Sequence, residues 1–99
     1  MFFDWFNTKE AALVGVNLAD NLSAELVKTN NKNPKKEIEH RAKIMQKIFV
    51  QLDQYTQKNS LNFYKKSKLV NEFKWRLLEI GHAKDFVDIV SKELLLHMN

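Results

Sequence analysis

The sequence predicts an all-α fold, an up-and-down bundle of about four helices forming a single domain over residues 1–99. Three observations carry that expectation. The chain holds only two glycines and one proline, whereas a sandwich or barrel needs a turn signal about every ten residues. Apolar residues recur at helical spacing along most of its length. A chain of 99 residues has room for one hydrophobic core and not for two. With 44% hydrophobic and 28% charged residues, the composition is that of a globular domain and not of a disordered segment.

The first helix is expected over about residues 8–29. Asn7 with Glu10 makes a capping-box pattern, and Phe6 can staple onto Ala11. At about 100° per residue, Ala11, Gly15, Leu18, Ala19, Leu22 and Leu26 fall on one side. The small residues Ala11, Gly15 and Ala19 would let a neighbouring backbone approach closely. The stretch LVGVNL also alternates a little, but its length and its Ala/Leu content favour helix.

TNNKNP, residues 29–34, breaks the chain, with Asn33 placed to cap and Pro34 suited to a first helical position. The second helix is expected over 34–58, with Ile38, Ala42, Met45, Ile48, Phe49, Leu52 and Tyr55 on one stripe. Asn59 and Ser60 make the next turn. A third helix is expected over 61–80, ended by Gly81 in a left-handed closing position. The fourth, over 83–98, aligns Ala83, Phe86, Val87, Val90, Leu94 and Met98. Its Leu94-Leu95-Leu96 run points all round the axis, which is costly unless something covers each side.

The third helix contains the stretch FYKKSKLVNEFKW, lysines interleaved with large aromatics. On a helical wheel Phe63, Val70, Phe73, Leu77 and Ile80 form a core stripe with Leu69 at its border. Tyr64, Trp75 and Leu78 lie a third of a turn or more away, in line with Lys68 and Asn71. Lys65, Lys66, Lys74 and Arg76 can lay their stems along neighbouring aromatics. A helix with two apolar strips either packs on two neighbours in its own chain, meets a second copy, or stacks nucleic-acid bases on Tyr64 and Trp75. The opening FFDWF raises the same choice, because Phe2, Phe3, Trp5 and Phe6 are too many aromatics to leave in water. The candidate partner surface is therefore Phe2, Phe3, Trp5, Phe6, Tyr64, Trp75, Leu78, Leu95 and Leu96. The opening segment is too short, with Asp4 inside it, to favour a membrane surface.

The net charge of +4 is unevenly spread. Residues 1–27 carry −3, 28–47 carry +5, 48–57 carry −1, 58–76 carry +5 and 77–99 carry −2. A basic middle between acidic ends either attracts a polyanion or holds the middle helices against the terminal ones. The second use is preferred, because acids are interspersed in every basic segment. If the first applied, the contacts would come from Lys35, Lys36, Arg41, Lys43, Lys65, Lys66 and Lys68. No helix-turn-helix supports it, since the helix after Gly81 is acidic, with Asp85, Asp88 and Glu93.

Reactive chemistry is scarce. The chain has no cysteine, hence no disulfide, thiolate metal site or thiol nucleophile. Glu-x-x-His occurs at Glu37…His40 and at Glu79…His82, the spacing by which di-metal carboxylate bundles bind iron or manganese. Geometry speaks against it. His40 lies more than 90° from the centre of its helix's apolar stripe, and Gly81 interrupts the second pair. His97 reads as a helix-end histidine favoured by the dipole. There is no phosphate-cradling glycine loop, nucleophile elbow or triad, and no catalytic, cofactor-binding or metal-binding residue is expected. No apolar run reaches the roughly 20 residues of a membrane span. The opening lacks the basic leader of a signal peptide, so an unprocessed cytoplasmic protein is expected.

Taken together, FFDWF, FVQLDQY, NFYKKSKLVNEFKWRLLEIG and the following DFV resemble a group of small uncharacterised bacterial proteins with similar starts and similar Tyr-Lys-Lys and Phe-Lys-Trp segments. The resemblance covers most of the chain and implies a bacterial protein, with no activity or cofactor attached. The expected function is a non-enzymatic helical interaction or regulatory protein, homodimeric. A nucleic-acid-binding accessory is the alternative and a di-metal bundle a remote third. The deciding observation is whether Tyr64 and Trp75 are enclosed within the chain, enclosed by a second copy, or open to solvent.

Overall fold

The computed structural model describes residues 8–28 and 34–98, except for the side chains of Pro34, Lys35 and Glu37. Among the described residues it is a bundle of four helices: α1 (Lys9–Lys28), α2 (Pro34–Lys58), α3 (Phe63–Ile80) and α4 (Lys84–Met98). No strand occurs among the described residues. Phe2, Phe3, Trp5, Phe6, the capping role of Asn7 and that of Asn33 lie outside them.

Local chemistry sets the helix ends. Thr8 lends its carbonyl to Ala12 N–H at 2.8 Å, so α1 starts at Lys9. Pro34 is the first residue of α2, where its missing N–H costs nothing. The third helix starts at Phe63, not Leu61, because Asn62 caps it. Asn62 has extended backbone, and its side-chain oxygen accepts from Lys65 N–H at 2.9 Å. At the other end Gly81 is left-handed, with φ 113°. Gly81 N–H reaches Leu78 O at 3.1 Å and His82 N–H reaches Leu77 O at 3.1 Å, the paired closing bonds of a Schellman motif.

Cross-helix pairs fix the chain directions. Asn21 donates to Gln51 at 2.9 Å and Lys47 meets Glu25 at 3.4 Å, so α1 and α2 are antiparallel. Gly15 lies on Leu69 and Phe73, Asp20 on Arg76 and Ser23 on His82, so α1 and α3 run parallel. Lys74 meets Asp88 at 3.3 Å, making α3 and α4 antiparallel. Direction therefore alternates along the chain, while the most extensive helix–helix packing joins the non-consecutive α1 and α3.

The core is Ala11, Leu18, Ala19 and Leu22 of α1, Ile44, Met45, Ile48 and Leu52 of α2, Leu69, Phe73 and Leu77 of α3, and Val87, Val90 and Leu94 of α4. Gly15 is buried with them. Small residues on α1 let α3 come close: a Cβ on Gly15 would strike Leu69 O and stand 3.1 Å from Phe73 N. That close approach, expected from Ala11, Gly15 and Ala19, is what brings Phe73, the largest fully buried side chain, into the centre.

Several core assignments need correction. On α2, Ile38 and Ala42 are exposed and Ile44 is buried instead. Ile38 belongs to the first turns, which extend past the end of the α1 contact, where nothing among the described residues covers it. On α3, Phe63 is 79% exposed and Ile80 41% exposed, while Leu69 is fully buried. The core line of α3 is thus Leu69–Phe73–Leu77, rotated from the expected stripe because it follows the contact with Gly15. On α4, Ala83 is exposed outside the helix and Ser91 is buried beside Val87, Val90 and Leu94.

Candidate functional site

Rotating the core line of α3 moves its second strip to the outside. Tyr64 and Trp75 lie about 180° and about 160° around the helix from Phe73, and they are 51% and 64% exposed. Both stay more than half exposed, so packing between neighbours among the described residues does not account for the second strip. Leu78 sits nearer the inside, partly buried against the core. Asn71, exposed, and Lys68, half-exposed and paired with Glu72 at 3.0 Å, complete the outward strip.

The leucine run of α4 divides as a helix requires. Leu94 is fully buried, and Leu95 and Leu96 are exposed. Leu95 lies two turns beyond Asp88 on nearly the same edge of α4. Two turns back along antiparallel α3 from Lys74 is Ser67, about one turn from Tyr64. Leu95 therefore borders the Tyr64 end of the strip. Leu96 joins Ile89 on the outer side of α4, where both are exposed. Phe63 meets Tyr64 edge-on, ring centres 6.4 Å apart, and adds a further wet aromatic at that end.

The described basic side chains do not form one patch, and that of Lys35 lies outside the described ones. Lys47 is level with Glu25, beyond the level of Arg76 on α3, so Lys36 and Lys43 flank the end of the bundle near Gly81. Lys65, Lys66 and Lys68 occupy the opposite end. The two groups are about 30 Å apart along the axis, several times a physiological Debye length of about 8 Å. Arg41 is turned over the Phe86 ring, 4.9 Å from its centre. Lys47–Glu25, Lys74–Asp88 and Arg76–Asp20 each join a basic middle helix to an acidic terminal one. The uneven charge of the chain thus has an internal use, although each such exposed pair adds little stability.

Arg76 Nε donates to Asp20 at 2.7 Å and its terminal nitrogen to Glu79 at 3.2 Å. Those contacts, the Asp20 hydrogen bond first, raise the guanidinium above its ordinary value. Burial, with Glu10 adding to it, likewise raises the Tyr55 phenol above its usual 10.0.

Each histidine is engaged separately. His82 shares a hydrogen bond with Ser23 at 3.0 Å and lies against Phe86. His97 bonds Asp53 at 2.8 Å and stacks on Phe49, ring centres 4.2 Å apart and 8° from parallel, a tie between α4 and α2 that helix-dipole reasoning did not anticipate. His40 lies with Lys36, Glu39 and Lys43 along one face of α2, around a cleft of about 200 Å³. Glu79, the other residue of the Glu79…His82 spacing, is bonded to Arg76. Among the described residues no three His, Asp or Glu side chains converge as a metal site would need, and no helix is long and apolar enough to cross a membrane.

Fold and surface together define the class: a small four-helix bundle whose third helix presents an aromatic strip directly away from the core. Comparison with family models, curated proteins and solved structures finds no match for the chain. A functional reading must therefore be built on geometry.

Proposed function

We propose that this protein is a non-enzymatic helical interaction module that associates with a second copy of itself through the outward strip of α3. The observation carrying this reading is the exposure of Trp75 and Tyr64 on the side of α3 opposite Phe73. Tryptophan and tyrosine are the residues most enriched among those that dominate binding energy at protein interfaces. Trp75 stands outside the core that the described residues build, and its exposed ring area adds nothing to that core. Small homo-oligomers are common and mostly two-fold.

Area sets what else takes part. The wet portions of Tyr64 and Trp75 supply roughly 250 Å² per chain, against about 800 Å² per partner in a stable complex. Leu95, Leu96 and the stems of neighbouring lysines therefore belong to the contact. The nucleic-acid alternative suits this geometry less well, since its two lysine groups lie at opposite ends of the bundle. A cysteine-free chain is compatible with a reducing compartment, and its resemblance to small bacterial proteins suggests a bacterial cytoplasm.

Sedimentation velocity at micromolar concentration tests the proposal. The intact chain should sediment as a dimer and Trp75→Ala as a folded monomer. An intact chain that stays monomeric removes the reading.

A further inference from the structure

The outward strip of α3 has an internal pattern that says how two copies would meet. Tyr64, Lys68, Asn71, Trp75 and Leu78 are spaced four, three, four and three residues apart. That is the 3.5-residue period of a coiled-coil seam. The aromatics flank its middle, and the polar Lys68 and Asn71 occupy the middle itself. A polar residue at such a position selects orientation and register, at a cost in stability.

Two alignments keep the seam on itself. In a parallel pair each Lys68 faces the other copy's Lys68, like charges in opposition. In an antiparallel pair centred between Lys68 and Asn71, Lys68 comes beside Asn71 of the second copy, within reach of its Glu72. Tyr64 then faces the second Trp75 at both ends. Glu72 already accepts Lys68 within one chain at 3.0 Å, so the same two charges can bridge the seam. From this charge and shape complementarity, and resting on the homodimer reading above, we infer that the occupant of the strip is α3 of a second copy, running antiparallel about a two-fold axis between Lys68 and Asn71.

Because the chain has no cysteine, single introduced thiols report the geometry. In the antiparallel seam the two Asn71 positions are offset along the axis by about 5 Å, and the two Glu79 positions by nearly 30 Å. Both residues are exposed, and neither belongs to the core. Under mild oxidation Asn71→Cys should yield a covalent dimer and Glu79→Cys should not. Lys68→Glu should weaken association at low salt by about tenfold, and Lys68→Glu with Glu72→Lys should restore it. Circular dichroism confirms that the variants remain helical.

The outcomes separate the two claims. If the unmodified protein sediments as a dimer but Asn71→Cys does not cross-link, the homodimer stands and this seam is overturned. Self-linking of Glu79→Cys means a parallel seam and overturns the inference as well. A monomeric parent protein overturns both claims.

Discussion

Gly15 of α1 lies directly on the carbonyl of Leu69 in α3, with no room between the two backbones for a Cβ. This contact sets the distance between the two parallel helices that pack most extensively, and it fixes which side of α3 faces inward. Replacing Gly15 by Ala should help the isolated helix by about 1 kcal/mol and still destabilise the protein, because backbone cannot yield as a side-chain tip can. Overpacking penalties reach about 3 kcal/mol, so a net loss of about 2 kcal/mol is expected. Urea unfolding of Gly15→Ala reads it as a lower midpoint at unchanged slope. A midpoint equal to or above that of the parent protein would contradict the close approach.

The Asn62 cap makes a second prediction. Its side chain satisfies Lys65 N–H, which has no partner within the helix. Asn62→Ala should cost about 1 kcal/mol and Asn62→Asp should retain most of the stability. Thermal unfolding of the two variants side by side distinguishes a lost cap from a general loss of packing.

Ser91 presents the opposite case. It is 5% exposed, and its Oγ is the buried side-chain polar atom left without a hydrogen-bond partner among the described residues. A buried hydroxyl left unpaired costs about 1–3 kcal/mol, and alanine is the better helix former. Ser91→Ala should therefore leave stability unchanged or raise it by up to about 1 kcal/mol. A clear loss in denaturant titration would show that the hydroxyl has a role the fold alone does not require.

Alkaline titration tests the surroundings of Tyr55. Burial, reinforced by Glu10, raises its phenol above 10.0. Above that pH the unfolded chain releases the Tyr55 proton before the folded one does, so the folded state binds more protons and loses stability as pH rises. Tyr55's contribution is fully present below pH 10.0 and falls away through the raised value. Tyr55→Phe should flatten this part of the stability–pH curve, as read by the denaturation midpoint between neutral and strongly alkaline pH. An unchanged slope would mean that the phenol is not sheltered.

The type and most boundaries of the described helices could be read from the chain, because their causes are local. Gly81 and Pro34 constrain only their own backbone, and the small residues of α1 announce a close contact without reference to its partner. Local rules also placed Leu22, Met45, Ile48, Leu52, Phe73, Leu77, Val87 and Leu94 correctly inside. Phe63, Ile38 and Ile80 were placed inside wrongly for a common reason. Periodicity identifies residues that share a face, but it does not say whether a neighbour extends far enough to cover each turn.

The fine rotational setting of α3 was beyond such rules. Its wheel puts Phe73 and Leu77 in the core stripe, but whether Leu69 or the Phe63–Ile80 edge joins them is open until a neighbouring backbone decides. Gly15 chooses Leu69–Phe73–Leu77, and Tyr64 and Trp75 are turned outward as a consequence. The stacking of His97 on Phe49 was equally hidden, since it joins residues 48 positions apart whose meeting depends on how α4 returns along α2. Short-range backbone preferences act within a few residues and are written in the sequence they act on. Which side of a rod stays wet depends on contacts between distant segments, and only their assembly in three dimensions supplies them.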